Sequence, residues 1–177
     1  MNFILGIDPG RDGAFWGLTK GGSPARWCDM PFNSSGIDEY AIKEFILQFP
    51  KDNTLIVLEK PFYSPQLRGK SGFTFGIYYG IVKGIIVGLG YKLEEVPPKR
   101  WKKHYGLIST KKNKITKDHS VKRAITLNPL FREKFTYRRN LVHRSGPKAG
   151  QKYTQIIKKD GRAEAYLIAE YGRRSFA

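Results

Sequence analysis

At 177 residues and 40% hydrophobic, the chain is long enough for one domain with its own core, and 32 Lys and Arg against 15 Asp and Glu leave it at +17. That excess predicts a polyanionic partner, nucleic acid ahead of a membrane surface, because no basic amphipathic helix stands out. A single cysteine, Cys28, excludes an intrachain disulfide, and three scattered histidines without a Cys/His cluster exclude ordinary zinc spacing. With no basic leader or small-residue cleavage site in MNFILGIDPG, the expectation is a cytoplasmic protein.

Residues 2–8 (NFILGID) read as a strand, followed by the turn PGRDG, a second strand near AFWGLT, a Gly-Gly turn at 21–22 and a third strand around ARWCDMP. IDEYAIKEFILQF, 37–49, has helical apolar spacing, with Asp38 as its cap. TLIVLE, 54–59, is a short continuous apolar run, the pattern of a central strand buried on both faces. After the loop PFYSPQLRGKS comes an apolar helix over 72–89 with Gly72, Gly76, Gly80, Gly84 and Gly88 at every fourth residue. Lys83 sits mid-run and no second span follows, so this predicts a helix packed tightly on a sheet or on a dimer partner, not a membrane anchor. YKLEEVP, 91–97, reads as a strand ended by Pro97-Pro98, and a basic stretch, KRWKKHYG, follows. KDHSVKRAITL, 117–127, is a helix, 128–158 is expected as an extended mobile loop, and DGRAEAYLIAEYGRR, 160–174, is a helix. The order predicts a single α/β domain over 1–177: a mixed central sheet, three antiparallel strands and then parallel ones, flanked by helices.

The acids are the puzzle in so basic a chain. Asp8 and Glu59 each end an apolar strand, and the ends of two central strands can lie side by side. Asp160 and Glu164 are four apart, on one face of the last helix. Taken singly, each has a plain structural role: a turn, a cap, a solvated face. Four carboxylates brought together would repel, and two divalent cations are the usual remedy, Mg²⁺ being matched to oxygen donors.

ILGIDPGRDGAFWGL, LIVLEKPF and DGRAEAYLIAEYGRR, in this order and at these separations, resemble the RuvC-type Holliday junction resolvases, most closely their phage and viral branch. The resemblance covers about 1–127 and 158–174. It implies a ribonuclease-H-like fold and a homodimer on a four-way DNA junction, with the helix after the catalytic glutamate, 72–89, at the subunit interface. It further implies two opposed incisions using two Mg²⁺ or Mn²⁺ ions per site. By motif, Asp8, Glu59, Asp160 and Glu164 match the metal-holding acids, although the bacterial pattern has two aspartates three apart where this chain has Asp160 and Glu164 four apart. Lys102 and Lys117 resemble the catalytic-site lysines, with Lys103 as a neighbouring phosphate contact. Phe62 falls where the family places an aromatic that stacks on junction bases.

Residues 131–159 have no counterpart in bacterial RuvC beyond a short connection. Their Lys and Arg, including Arg138, Arg139 and Arg144, stand against a single Glu133, which reads as an inserted DNA-binding arm or else as a solubilising loop. Two rivals stay open: a related nuclease acting on RNA or RNA–DNA hybrids, and a non-catalytic basic nucleic-acid-binding protein. An actin-like kinase is the weakest alternative, because there is no second DxG phosphate strand, no adenosine motif and too little chain for two lobes; no nucleotide cofactor is expected.

Overall fold

Period-two alternation in the first sixty residues becomes a sheet whose faces are covered by different helices. In the computed structural model, which describes residues 1–61, 70–111 and 113–177, β1 (Phe3–Asp8), β2 (Ala14–Thr19) and β3 (Pro24–Asp29) form an antiparallel meander. A small ribbon of β4 (Phe32–Asn33) and β5 (Gly36–Ile37) leads to α1 (Glu39–Ile46), capped by Asp38, whose carboxylate accepts from the Ala41 N–H at 2.9 Å. The chain returns through β6 (Thr54–Glu59), parallel to β1. After α2 (Lys70–Gly88), β7 (Lys92–Val96) pairs in parallel with β6, giving the order β3-β2-β1-β6-β7. Then come α3 (Pro98–His104), α4 (Lys117–Leu127), α5 (Arg132–Phe135), the hairpin β8 (Thr136–Val142) and β9 (Lys152–Lys158), and α6 (Asp160–Phe176). The mixed α/β sheet is as expected from the sequence.

Leu5 and Ile7 of β1 and Ile56 and Leu58 of β6 pack with Ile42 and Ile46 of α1 and Val82 and Ile86 of α2. The alternate residues Ile4, Leu55 and Val57 pack with α3, α4 and α6 on the other face. Trp16 is fully buried there, its ring 5.1 Å from Phe135 and 5.7 Å from Tyr166; burying a side chain of this size contributes about 2–3 kcal/mol. Helix α6 lies close on β1 because position 6 is glycine. A Cβ there would sit 2.3 Å from both the Ala165 carbonyl oxygen and the Ala169 nitrogen.

One expectation is overturned, one of two alternatives is removed and one unassigned stretch gains an element. The glycine stripe of α2 does not pack on the sheet. Among the described residues nothing lies within 4 Å of a Cβ built at Gly76, Gly80, Gly84 or Gly88, and the sheet side of the helix is Val82 and Ile86. The stretch after Pro97 is helical, since Pro98 occupies the first turn of α3, where a missing N–H costs nothing. Residues 128–158 are ordered as a short 3-10 turn, α5 and the β8–β9 hairpin, and Phe131 and Phe135 belong to the core, so the projecting arm begins at Thr136. Among the described residues, no helix is long and apolar enough to cross a membrane.

Candidate active site

Asp8 and Glu59 are placed together by register. Gly6 pairs with Val57 and Ile7 with Leu58, so the next step of the parallel ladder sets Asp8 beside Glu59 at the carboxyl ends of two central strands. Alternation then points both away from α1 and α2. Asp8 follows Ile4 and Gly6, and Glu59 follows Leu55 and Val57, on the face that α6 covers. Close approach of α6 to Gly6 brings its first turns, with Asp160 and Glu164, over these strand ends. Gly161 works to the same effect, because a Cβ there would meet the Asp12 carbonyl oxygen of the β1–β2 turn at 1.8 Å.

Each acid has its own partner. The Gly10 N–H donates to Asp8 Oδ1 at 2.9 Å, and Trp101 Nε1 donates to Glu59 Oε2 at 3.0 Å. Ser120 Oγ donates to Glu164 at 2.8 Å, and Lys102 Nζ lies 3.2 Å from the other oxygen of that carboxylate. Lys117, at the start of α4, pairs with Asp160 at 2.6 Å. Trp101 and Ser120 were not anticipated from sequence; the only hint was an aromatic set among lysines in KRWKK.

Two lysines do not discharge the cluster. Glu59 is 7% exposed, and burial followed by the Asp8 charge pushes its carboxyl up to about 8. Burial and then Glu164 raise Asp8 to about 7, against the opposing pull of the Gly10 N–H and Lys102. Burial would lower the Lys102 ammonium, but Glu164 and Glu59 prevail and raise it. The hydrogen bond to Asp160 is the main cause of the rise at Lys117. Both lysines therefore stay charged at neutral pH while the acids beside them still lack positive charge.

Among the described residues, no three Asp, Glu, His or Cys side chains close on one point as they would around a bound ion. Hydrogen bonds and lysines draw the four carboxylates toward separate partners instead. Their chemistry nonetheless fits a hard divalent cation: oxygen donors only, supplied by β1, β6 and α6, with burial and neighbouring acids raising the carboxyls of Asp8 and Glu59. Hollows flank the acids. One of about 280 Å³ is lined by Lys102, Lys117, Ser120 and Glu164, and another of about 290 Å³ by Arg11, Asp29, Lys159 and Asp160. Lys103 is exposed on α3, and Arg138, Arg139 and Arg144 are exposed on the hairpin and its turn. The expectation for Phe62 lies outside the described residues.

A mixed five-stranded sheet of this order, with helices on both faces, is a ribonuclease-H-like fold, and its acids stand where two adjacent central strands end. Among solved structures the chain is similar to Thermus thermophilus RuvC, with a TM-score of 0.57 and 12% identity over 97% of this chain and 95% of that one. It is equally similar to T. thermophilus RuvC in complex with Holliday junction substrate, with a TM-score of 0.56 and 12% identity over 98% and 96%. No protein-family model and no curated protein matches the chain. The fold is RuvC-like.

Proposed function

We propose that this chain is a divalent-metal-dependent endonuclease that resolves Holliday junctions and other branched DNA by paired incisions. The observation that carries the reading is the juxtaposition of Asp8 and Glu59 under the first turns of α6, with Lys102 and Lys117 against Glu164 and Asp160. One of the similar RuvC structures holds a Holliday junction substrate, which supports branched DNA as the ligand class. The resemblance of the three sequence blocks to the phage and viral branch supports an origin there, with the work done in the host cytoplasm or nucleoid.

Asp8, Glu59, Asp160 and Glu164 would hold two Mg²⁺ or Mn²⁺ ions. When bound, these ions supply charge to the scissile phosphate and activate water for its attack. The chain's own part is to position and to compensate. Lys102 and Lys117, which sit against Glu164 and Asp160, would donate to non-bridging phosphate oxygens, where negative charge develops. Trp101 holds Glu59 in one rotamer, and Ser120 does the same for Glu164. Lys103 extends the cationic rim along the strand leaving the site.

Two subunits are needed for two opposed incisions. The open glycine face of α2, with Phe73, Ile77 and Val87 exposed on the same helix, supports pairing with a second copy, since backbones approach closely over glycine. The deciding experiment is cleavage of a synthetic four-way junction with Mg²⁺ or Mn²⁺, nick positions being mapped on all strands. Symmetric paired nicks that vanish with EDTA are expected. Cutting of RNA–DNA hybrid alone, or binding without cutting under every metal, would overturn the proposal.

A further inference from the structure

The β8–β9 hairpin is unlike the rest of the molecule: its strands are exposed on both faces, with residues 137–140 and 152–156 all open to solvent. Ile156 is 60% exposed and Val142 48%, which no other part of the chain relieves among the described residues. Between Glu133 and Asp160 the sequence holds eight Lys and Arg and no acid. A two-stranded ribbon without a covered face is marginal by itself, and this one is complementary to a polyanion that could cover it.

Its register sorts the side chains. Arg138 pairs with Ile156, Asn140 with Thr154, and Val142 with Lys152, and these six share one face. On that face Thr154 Oγ1 donates to the Asn140 amide oxygen at 3.0 Å, fixing the amide and leaving its N–H groups free to donate outward. The opposite face is partly self-covered, with Leu141 and Ile157 half-buried and the His143 and Tyr153 rings 4.4 Å apart. The base is anchored at the acidic site. Lys159 N–H donates to the Phe135 carbonyl at 2.8 Å across the hairpin's neck, and Asp160 is the next residue. Arg162, one turn into α6, donates to Asp29 at 2.7 Å and to the Lys134 carbonyl at 3.1 Å.

From this we infer that the β8–β9 hairpin is a groove-reading ribbon that lies in the groove of a duplex DNA arm beside the acidic site, with the Arg138/Asn140/Lys152 face toward the base edges. The inference rests on the reading of the chain as a DNA-junction nuclease and adds where and how far it grips. A two-stranded ribbon fits the major groove of B-form DNA, which is about 12 Å wide. Seven residues per strand at about 3.3 Å each reach about 23 Å, or about seven base pairs. Arg and Asn are the side chains suited to acceptors on the purine edge, while Lys152 neutralises phosphate.

The test is binding by the full chain in EDTA to four-way junctions whose loop-closed arms are shorter or longer than about seven base pairs, across a salt series. An Arg138→Ala/Lys152→Ala variant, with unchanged thermal unfolding, is expected to bind long-arm junctions about 10-fold more weakly, with a salt slope shallower by about 1 from the lost Lys152 phosphate contact, and to match wild type on short arms. Equal affinity and slope on long arms overturns the inference, as does a loss confined to arms of double-stranded RNA. Hydroxyl-radical footprinting of the unaltered protein needs no variant: protection running about seven base pairs out from the branch is expected, and protection ending at the branch overturns it. Failures separate cleanly. If variant-dependent binding persists but no junction is cut under any metal, the nuclease reading falls and the ribbon stands; if paired nicks persist while the variant binds as wild type, only the ribbon falls.

Discussion

The acidic strand ends and the basic hairpin adjoin in sequence, Lys158 closing β9 and Asp160 opening α6, yet they are held by opposite means. At the strand ends, burial and close packing force like charges together. Glu59 is buried at the end of a fully buried strand, and glycine at position 6 lets α6 press its acids toward Asp8. The hairpin buries almost nothing and repels itself along its length, held by its ladder and two anchors at the neck. Unfavourable charge is tolerable in the first case because core packing pays for it, and in the second because solvent screens it. On the proposed reading each region takes a different partner: a small, hard cation for the acids and an extended polyanion for the ribbon.

The largest effect that can break this contrast is at Glu59. Glu59→Gln keeps the Trp101 hydrogen-bond acceptor but removes a charge, and junction cleavage is expected to fall by about 10³-fold, near 4 kcal/mol of barrier, with junction binding retained. Single-turnover cleavage beside a binding isotherm checks it; cleavage within a few-fold of wild type would remove Glu59 from the site. Next is Gly6→Ala. The added methyl meets α6 backbone on a central strand and should cost about 2–3 kcal/mol in denaturant unfolding, because neither strand nor helix can move aside.

The acids also set a pH dependence. Asp8 and Glu59 have folded-state values near 7 and 8 against ordinary unfolded ones of 3.8 and 4.5, so between these limits the folded chain binds more protons than the unfolded. Stability of the ion-free protein therefore falls as pH rises from about 4 to 8. Below pH 4 both states are protonated and the contribution is fully present. Added Mg²⁺ should raise the unfolding temperature at pH 8 and do little at pH 5, and Asp8→Asn should flatten the ion-free profile. A stability that rises across this range would mean that the lysines already satisfy the cluster.

How much of this was legible in the sequence follows the same divide. The strands ending in Asp8 and Glu59 were readable because burial on one or both faces leaves an apolar pattern, and Asp160 and Glu164 were readable as a pair from helical spacing. Helix α3 was hidden because Pro97-Pro98 serves as well to start a helix as to end a strand. The hairpin was hidden because a ribbon exposed on both faces needs no apolar alternation, although TYRRNLV and KYTQIIK carry strand-forming residues around a Gly-Pro turn. Trp101 and Ser120 as partners of Glu59 and Glu164 arise from contacts 42 and 44 residues apart, which no local pattern encodes.

The smallest expected effect has an unusual sign and separates two glycine roles. Gly80→Ala in α2 adds a methyl that meets nothing among the described residues and replaces the poorer helix former, so the isolated subunit should gain about 0.5–1 kcal/mol, the opposite of Gly6→Ala. If a second copy packs on this face, the same methyl holds two backbones apart, and dimer dissociation measured by sedimentation should become easier while monomer unfolding becomes harder. Opposed shifts would tie the stripe to self-association, because no effect within a single subunit yields both. A gain in stability with unchanged association would leave α2 as an ordinary covering helix and move the search for the subunit interface elsewhere.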